Sequence, residues 1–135
     1  MVAKSLTDYF SDFINQNSFT VTSVPMHPGR EKLRGYNQSR SLAEGLAQKL
    51  MLPYQETLLK NYDTPSQTKL DRKKRRDNLS RAFSPAPDQA LKGKNFLIID
   101  DVTTTGTTLK EAAKVLKRNG AGIVWGMALA YEPTK

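Results

Sequence analysis

The sequence contains no cysteine and a single histidine, His27. Without cysteine there is no disulfide, no thiolate zinc site and no cysteine nucleophile. One histidine cannot build a histidine metal cluster. Any Ser-His-Asp triad would have to use His27, and no nucleophile-elbow pattern accompanies it. P-loop and dinucleotide-binding fingerprints are also missing, which argues against nucleoside triphosphates and NAD. No apolar run approaches the ~20 residues of a membrane-spanning helix. The opening Met1-Val2-Ala3-Lys4-Ser5-Leu6 lacks the hydrophobic centre of a signal peptide, and Asp8 and Asp12 come soon after it. These absences predict a cytoplasmic protein with no membrane span.

What is present is positive charge, in two places. The 135 residues carry a formal net charge of +8. Lys69 to Arg76 holds six basic residues and one acid, and Arg30 to Arg40 holds four basic residues and one acid. Those two segments account for the whole excess. Charge concentrated in this way predicts an anionic partner, either a phosphate-bearing small molecule or nucleic acid. The length suits one domain, 1–135, with one core.

Leu6, Phe10, Phe13 and Ile14 recur at helical spacing, with Ser5 or Thr7 as the cap. Phe19 to Val24 is β-branched and stops at Pro25, so it reads as a strand. Met26 to Arg30 reads as a loop. A helix is expected from about Asn37 to Met51, with Leu42, Leu46 and Leu50 on its apolar stripe. Thr57-Leu58-Leu59 reads as a short strand. The charged stretch 63–82 lacks a dense apolar stripe and reads as a flexible basic loop or a marginal helix. Phe96 to Ile99 is a buried-type strand. A helix with Leu109, Ala112, Ala113 and Leu116 on one face comes next, and Asn119-Gly120 stops it. A last strand covers about Ile123 to Ala130. Strands alternating with helices predict an α/β fold with a parallel sheet covered on both faces.

The chemistry concentrates after Ile99. Asp100 and Asp101 come at the C-terminal end of a strand, where ligands bind in open α/β sheets. Val102, Thr103, Thr104, Thr105, Gly106, Thr107 and Thr108 then form a polar turn that opens a helix. Turn amides and a helix N-terminus suit a phosphate, and the threonine hydroxyls add donors. Carboxylates suit the vicinal hydroxyls of a sugar. The pattern fits ribose 5-phosphate, with the acids on the 2′ and 3′ hydroxyls and the turn on the phosphate. The plainer alternative is a Thr-rich turn that only caps a helix.

The run Phe96 to Thr108 resembles the signature for phosphoribosyl pyrophosphate (PRPP) of type I phosphoribosyltransferases. Two further segments resemble the competence protein F (ComF) family: Val24-Pro25-Met26-His27-Pro28-Gly29-Arg30 with Arg34-Gly35-Tyr36-Asn37-Gln38, and Thr64-Pro65-Ser66-Gln67-Thr68 with Leu70, Arg76, Asn78, Ala82 and Phe83. The resemblance spans roughly Val21 to Ala130. It implies a type I phosphoribosyltransferase-like fold, a central, mostly parallel sheet of about five strands flanked by helices, with residues 1–18 as an N-terminal helix or small hood. It also implies transfer of a phosphoribosyl group from PRPP to an unidentified acceptor, with pyrophosphate released. Asp100 and Asp101 would be catalytic, and Val102 to Thr108 would hold the 5′ phosphate. Met26, His27, Pro28, Gly29 and Arg34 would meet the pyrophosphate, joined by Lys69, Arg72 and Arg76 from a closing loop. Mg²⁺ would come with PRPP and touch Asp100 and Asp101 only through water. A homodimer is the implied assembly. The alternative is a non-catalytic, PRPP- or nucleotide-sensing accessory of DNA uptake with weak single-stranded DNA contact. Many members of that family carry an N-terminal cysteine zinc module, and this chain has no cysteine.

Overall fold

The computed structural model describes residues 5–62, 81–103 and 106–131. Ser5 caps helix α1 (Leu6–Gln16). Its hydroxyl accepts from the Asp8 N–H at 3.2 Å, and the Asp8 carboxylate accepts from the Ser5 N–H at 3.1 Å, which closes a capping box. Strand β1 (Phe19–Ser23) is next and is buried along its whole length. Helix α2 (Pro28–Arg34) begins inside the segment that its Pro and Gly content marks as a loop. Pro28 is the reason, because a fixed φ and a missing N–H suit the first helical position. Gly35, at φ 91°, ends α2 in the left-handed conformation. Then come α3 (Gln38–Leu50), β2 (Leu58–Lys60), β3 (Phe83–Pro85), β4 (Asn95–Thr103), α4 (Thr107–Arg118) and β5 (Val124–Tyr131).

The fold is α/β as expected, with its strands divided. Among the described residues a parallel three-stranded sheet has the order β1-β4-β5, and β2 and β3 form a separate antiparallel ribbon. The free edge of β1 gains a parallel bridge between Val21 and Tyr54, with the Val21 N–H on the Pro53 carbonyl and the Gln55 N–H on the Val21 carbonyl.

β4 is the central strand and buries both faces. Phe96 and Ile98 pack with Ala112, Val115 and Leu116 of α4 and with Leu58 and Phe83 of the ribbon. Leu97 and Ile99 pack with Ile14 of α1 and with Ala43 and Ala47 of α3. Along α3 the residues that reach the sheet fully are Ser39, Ala43 and Ala47, while Leu42, Leu46 and Leu50 flank them. Small side chains let the helix axis approach the strands, and the leucines close the sides. α1 belongs to the same layer, with the Phe13 ring stacked on Trp125 at 4.5 Å between centroids. Among the described residues no helix is long and apolar enough to cross a membrane.

Candidate functional site

The C-terminal ends of β1 and β4 lie side by side, because the two strands pair in parallel from Phe19–Asn95 to Ser23–Ile99. The residues leaving both strands therefore meet at one edge of the sheet. After β1 come Val24, Pro25 and Met26, and at the end of β4 come Asp100 and Asp101. Between them opens a cleft of about 150 Å³. Arg30 and Arg34 of α2, Gln38 and Ser39 of α3, Lys60 of β2 and Thr108 of α4 complete its walls. Two carboxylates thus share a small cleft with three cationic side chains from two other elements.

β4 continues to Thr103, further than its apolar run indicates. Val102 and Thr103 pair with Ala130 and Tyr131 of β5 instead of opening the turn. Asp100 is buried, and Asp101 beside it is half-buried. Burial raises the Asp100 carboxyl from 3.8 to about 6, and the Asp101 carboxyl beside it pushes the same way. Opposing them, the Ser39 hydroxyl donates to Asp100 Oδ1 at 3.1 Å and the Asp101 N–H donates to it at 2.9 Å.

The N-terminus of α3 is fixed from two sides. Asn37 caps it by accepting the Arg40 N–H at 3.2 Å, and the Asn37 side-chain amide donates to the Val24 carbonyl at 3.4 Å. Asn37 is buried. Asn37→Ala removes a cap and leaves a buried carbonyl short of a donor. It is expected to cost roughly 1–3 kcal/mol in urea unfolding.

Gly106 sits at the N-cap of α4 with φ 76° and gives the helix no side-chain cap. The first turn of α4 lies at the end of the sheet that carries the acids. Thr108 lines the cleft, and Thr107 stands one residue earlier in the same turn.

Met26 and Arg34, both expected to meet pyrophosphate, line the cleft. His27, Pro28 and Gly29 begin α2. The Gly29 N–H is taken by His27 Nδ1 at 3.2 Å, which makes His27 a cap for that short helix. Pro28 lines a neighbouring hollow of about 120 Å³ with Glu31, Arg40 and Glu56. Arg40 is committed to carboxylates there, 2.8 Å from Glu31 and 2.6 Å from Glu56. Burial works against its charge, but Glu56 and Glu31 outweigh it and hold the guanidinium above its ordinary value. Of the aromatics that flank the basic run, Phe83 is buried in the core and Tyr62 is partly buried against it. Thr104, Thr105, Lys69, Arg72 and Arg76 lie outside the described residues, as do residues 63–80 of the basic stretch 63–82, whose last residue, Ala82, is buried in the core.

Sequence reasoning missed Arg30, Gln38, Ser39 and Lys60 as residues of the cleft. The available signal was the Asn37-Gln38-Ser39 helix start, whose side chains point toward the strand ends. For Lys60 nothing in the local sequence marks it, because the ribbon brings it across.

Among the described residues no group of three or more His, Cys, Asp or Glu side chains could hold a metal ion. Two adjacent acids in a polar cleft do fit Mg²⁺ arriving on a phosphate ligand, since Mg²⁺ keeps much of its water and takes few protein ligands.

Comparison with known proteins agrees with this geometry. The family profile described as phosphoribosyl transferase domain matches residues 37–135. Competence protein F of Haemophilus influenzae is 37% identical over 82% of this chain and 50% of its own length. Competence protein ComFC of Bacillus subtilis is 32% identical over 82% of this chain and 43% of its own. The chain thus spans about half the length of the curated relatives it matches. Adenine phosphoribosyltransferase of Saccharomyces cerevisiae superposes with a TM-score of 0.59 at 12% identity, covering 92% of this chain and 62% of that one. Phosphoribosylpyrophosphate synthetase of Mycobacterium smegmatis superposes at 0.54 and 22% identity, covering 93% of this chain and 32% of that one. Strand ends that join paired acids to a phosphate-suited helix start, on this fold and with this profile, place the chain in the phosphoribosyl transferase domain family, among its competence protein F-type members.

Proposed function

We propose that the cleft binds PRPP and that the protein transfers its phosphoribosyl group to a nucleophilic acceptor. The observation that carries this reading is the pair Asp100 and Asp101, set at the end of the central strand opposite Arg30, Arg34 and Lys60. The carboxylates accept from the ribose 2′ and 3′ hydroxyls. Amides from Gly106 to Thr108 hold the 5′ phosphate. Arg30, Arg34 and Lys60 face the pyrophosphate, with Lys69, Arg72 and Arg76 as further candidates from the basic loop.

In the transfer, the bond from ribose C1 to the pyrophosphate oxygen breaks and its electron pair leaves with pyrophosphate. The acceptor's lone pair forms the new bond to C1, and the acceptor gives up a proton. Positive charge develops on the ribose ring as the leaving group departs, and the two carboxylates offset it. Asp100 and Asp101 are the residues that would hold Mg²⁺ brought in with PRPP, and the ion would supply neutralisation of the pyrophosphate.

A second reading draws on the relatives' names. Proteins called competence protein F and DNA utilization protein are among its curated matches. On that reading the same pocket senses PRPP or a nucleotide in an accessory of DNA uptake, and the basic run contacts a nucleic-acid or protein partner. Calorimetric titration of PRPP with Mg²⁺ into the wild type tests the pocket that the two readings share. Saturable binding supports the pocket, and its absence in folded protein removes it. Pyrophosphate release in an acceptor screen then separates enzyme from sensor.

A further inference from the structure

Ser39 occupies the second position of α3 and is 6% exposed. A serine in the first turn of a helix ordinarily turns its hydroxyl to its own backbone or to water. Here the hydroxyl leaves its helix and reaches residues 61 and 62 positions away in sequence. It donates to Asp100 Oδ1 at 3.1 Å and accepts from the Asp101 N–H at 3.2 Å. That N–H is shared, since it also donates to Asp100 Oδ1 at 2.9 Å. Ser39 Oγ, Asp100 Oδ1 and the Asp101 amide thus form a closed triangle of polar contacts.

The triangle matters because an aspartate at a strand end has two soft side-chain torsions. A single bond to the next backbone amide fixes one oxygen but leaves the carboxylate plane to turn about it. A second donor from a different element removes that freedom. Ser39 is itself held firmly, because Asn37, two residues earlier, anchors the helix start to the Val24 carbonyl at the end of β1.

We infer that Ser39 is a positioning residue, which fixes the Asp100 carboxyl beside that of Asp101 so that the pair meets the sugar hydroxyls in the cleft. The inference rests on the phosphoribosyl reading above. Ser39 acts through Asp100 and has no part in holding the phosphate, which the start of α4 provides. Loss of its hydroxyl should therefore be felt by ligands that carry a ribose and not by phosphate alone.

The test is calorimetric titration of ribose 5-phosphate and, separately, inorganic phosphate into wild type, Ser39→Ala, Asp100→Asn and the double variant. Ser39→Ala is expected to weaken ribose 5-phosphate on the order of tenfold, the scale of one hydrogen bond to a charged group. Phosphate affinity should stay within about twofold, which also shows that the variant is folded at the site. In the Asp100→Asn background the same substitution should add less than about twofold, because the group it positions has already changed. Ser39→Thr, which keeps the hydroxyl, should remain close to wild type. Equal loss of both ligands in Ser39→Ala, full additivity in the double variant, or Ser39→Thr behaving as the alanine would each overturn the assignment. Wild type that binds ribose 5-phosphate while Ser39→Ala matches it removes the positioning role alone. Wild type that binds no ribose 5-phosphate removes the pocket and the positioning role together.

Discussion

Replacing Asp100 with asparagine should make the protein more stable and its ligand weaker. The carboxyl sits at about 6 in the folded protein, against 3.8 when unperturbed, chiefly because it is buried. Between those values the folded chain keeps a proton that the unfolded chain has released. Stability therefore falls as pH rises from about 3.8 to about 6, and the loss is complete and constant above that. Full ionisation of Asp100 in the fold then costs on the order of 3 kcal/mol at neutral pH. Asparagine keeps an oxygen for the Ser39 hydroxyl and the Asp101 N–H and drops the charge. Urea unfolding at pH 7.5 should show the variant ahead by roughly 1–3 kcal/mol, with the gap closing near pH 4. Ligand affinity should move the other way. A ribose hydroxyl donates to a carboxylate more strongly than to an amide, so binding of ribose 5-phosphate should weaken about ten- to a hundredfold. In the wild type that affinity should also decline as pH falls through about 6, where Asp100 takes up its proton. A variant no more stable than wild type at pH 7.5 would mean that the fold bears no cost for this charge.

A buried acid kept at such a cost is the kind of residue that sequence pattern alone can flag. Two acids after four apolar strand residues contradict the surrounding periodicity, and such conflicts tend to mark function. That is why Asp100 and Asp101 were legible in the sequence. The central strand, the helix after Gly106 and a cap at Ser5 or Thr7, of which the structure selects Ser5, were legible for simple reasons too: burial, a glycine turn and a cap act over a few residues. Contact between distant segments was not legible. Lys60 reaches the cleft only because an antiparallel ribbon carries it there, and Ser39 matters only through a partner 61 positions away. The α3 stripe shows the same limit. Leucine spacing identified the helix, but Ala43 and Ala47 meet the sheet, since close packing of a helix on strands selects small side chains that periodicity weights lightly. His27 shows the same limit from the other side: its hydrogen bond to the Gly29 N–H caps a short helix in a segment whose Pro and Gly read as a loop.

Gly106→Ala should damage the phosphate end of the cleft far more than the fold. Gly106 holds φ 76°, a conformation that an L-residue adopts at a cost of ~1–2 kcal/mol. Among the described residues beyond its chain neighbours and its own helix backbone, nothing lies within 4 Å of the position a Cβ would occupy, so no clash with them adds to that cost. The chain can relieve the strain by shifting φ toward negative values. That shift turns the peptide planes at the entrance to α4, the amides proposed to hold the phosphate. The helix itself is held further on, by the Lys110 N–H on the Gly106 carbonyl at 2.9 Å and by Ala112, Val115 and Leu116 in the core. Thermal unfolding should register a loss of only ~1–2 kcal/mol, whereas inorganic phosphate and ribose 5-phosphate should both weaken by about tenfold or more. This pattern is the complement of the one expected for Ser39→Ala, which spares phosphate. If both substitutions give their expected signatures, the cleft divides into a carboxylate half that reads the sugar and a helix-start half that reads the phosphate. If Gly106→Ala leaves phosphate binding intact, the anion is held elsewhere, and the cationic wall of Arg30, Arg34 and Lys60 becomes the place to look.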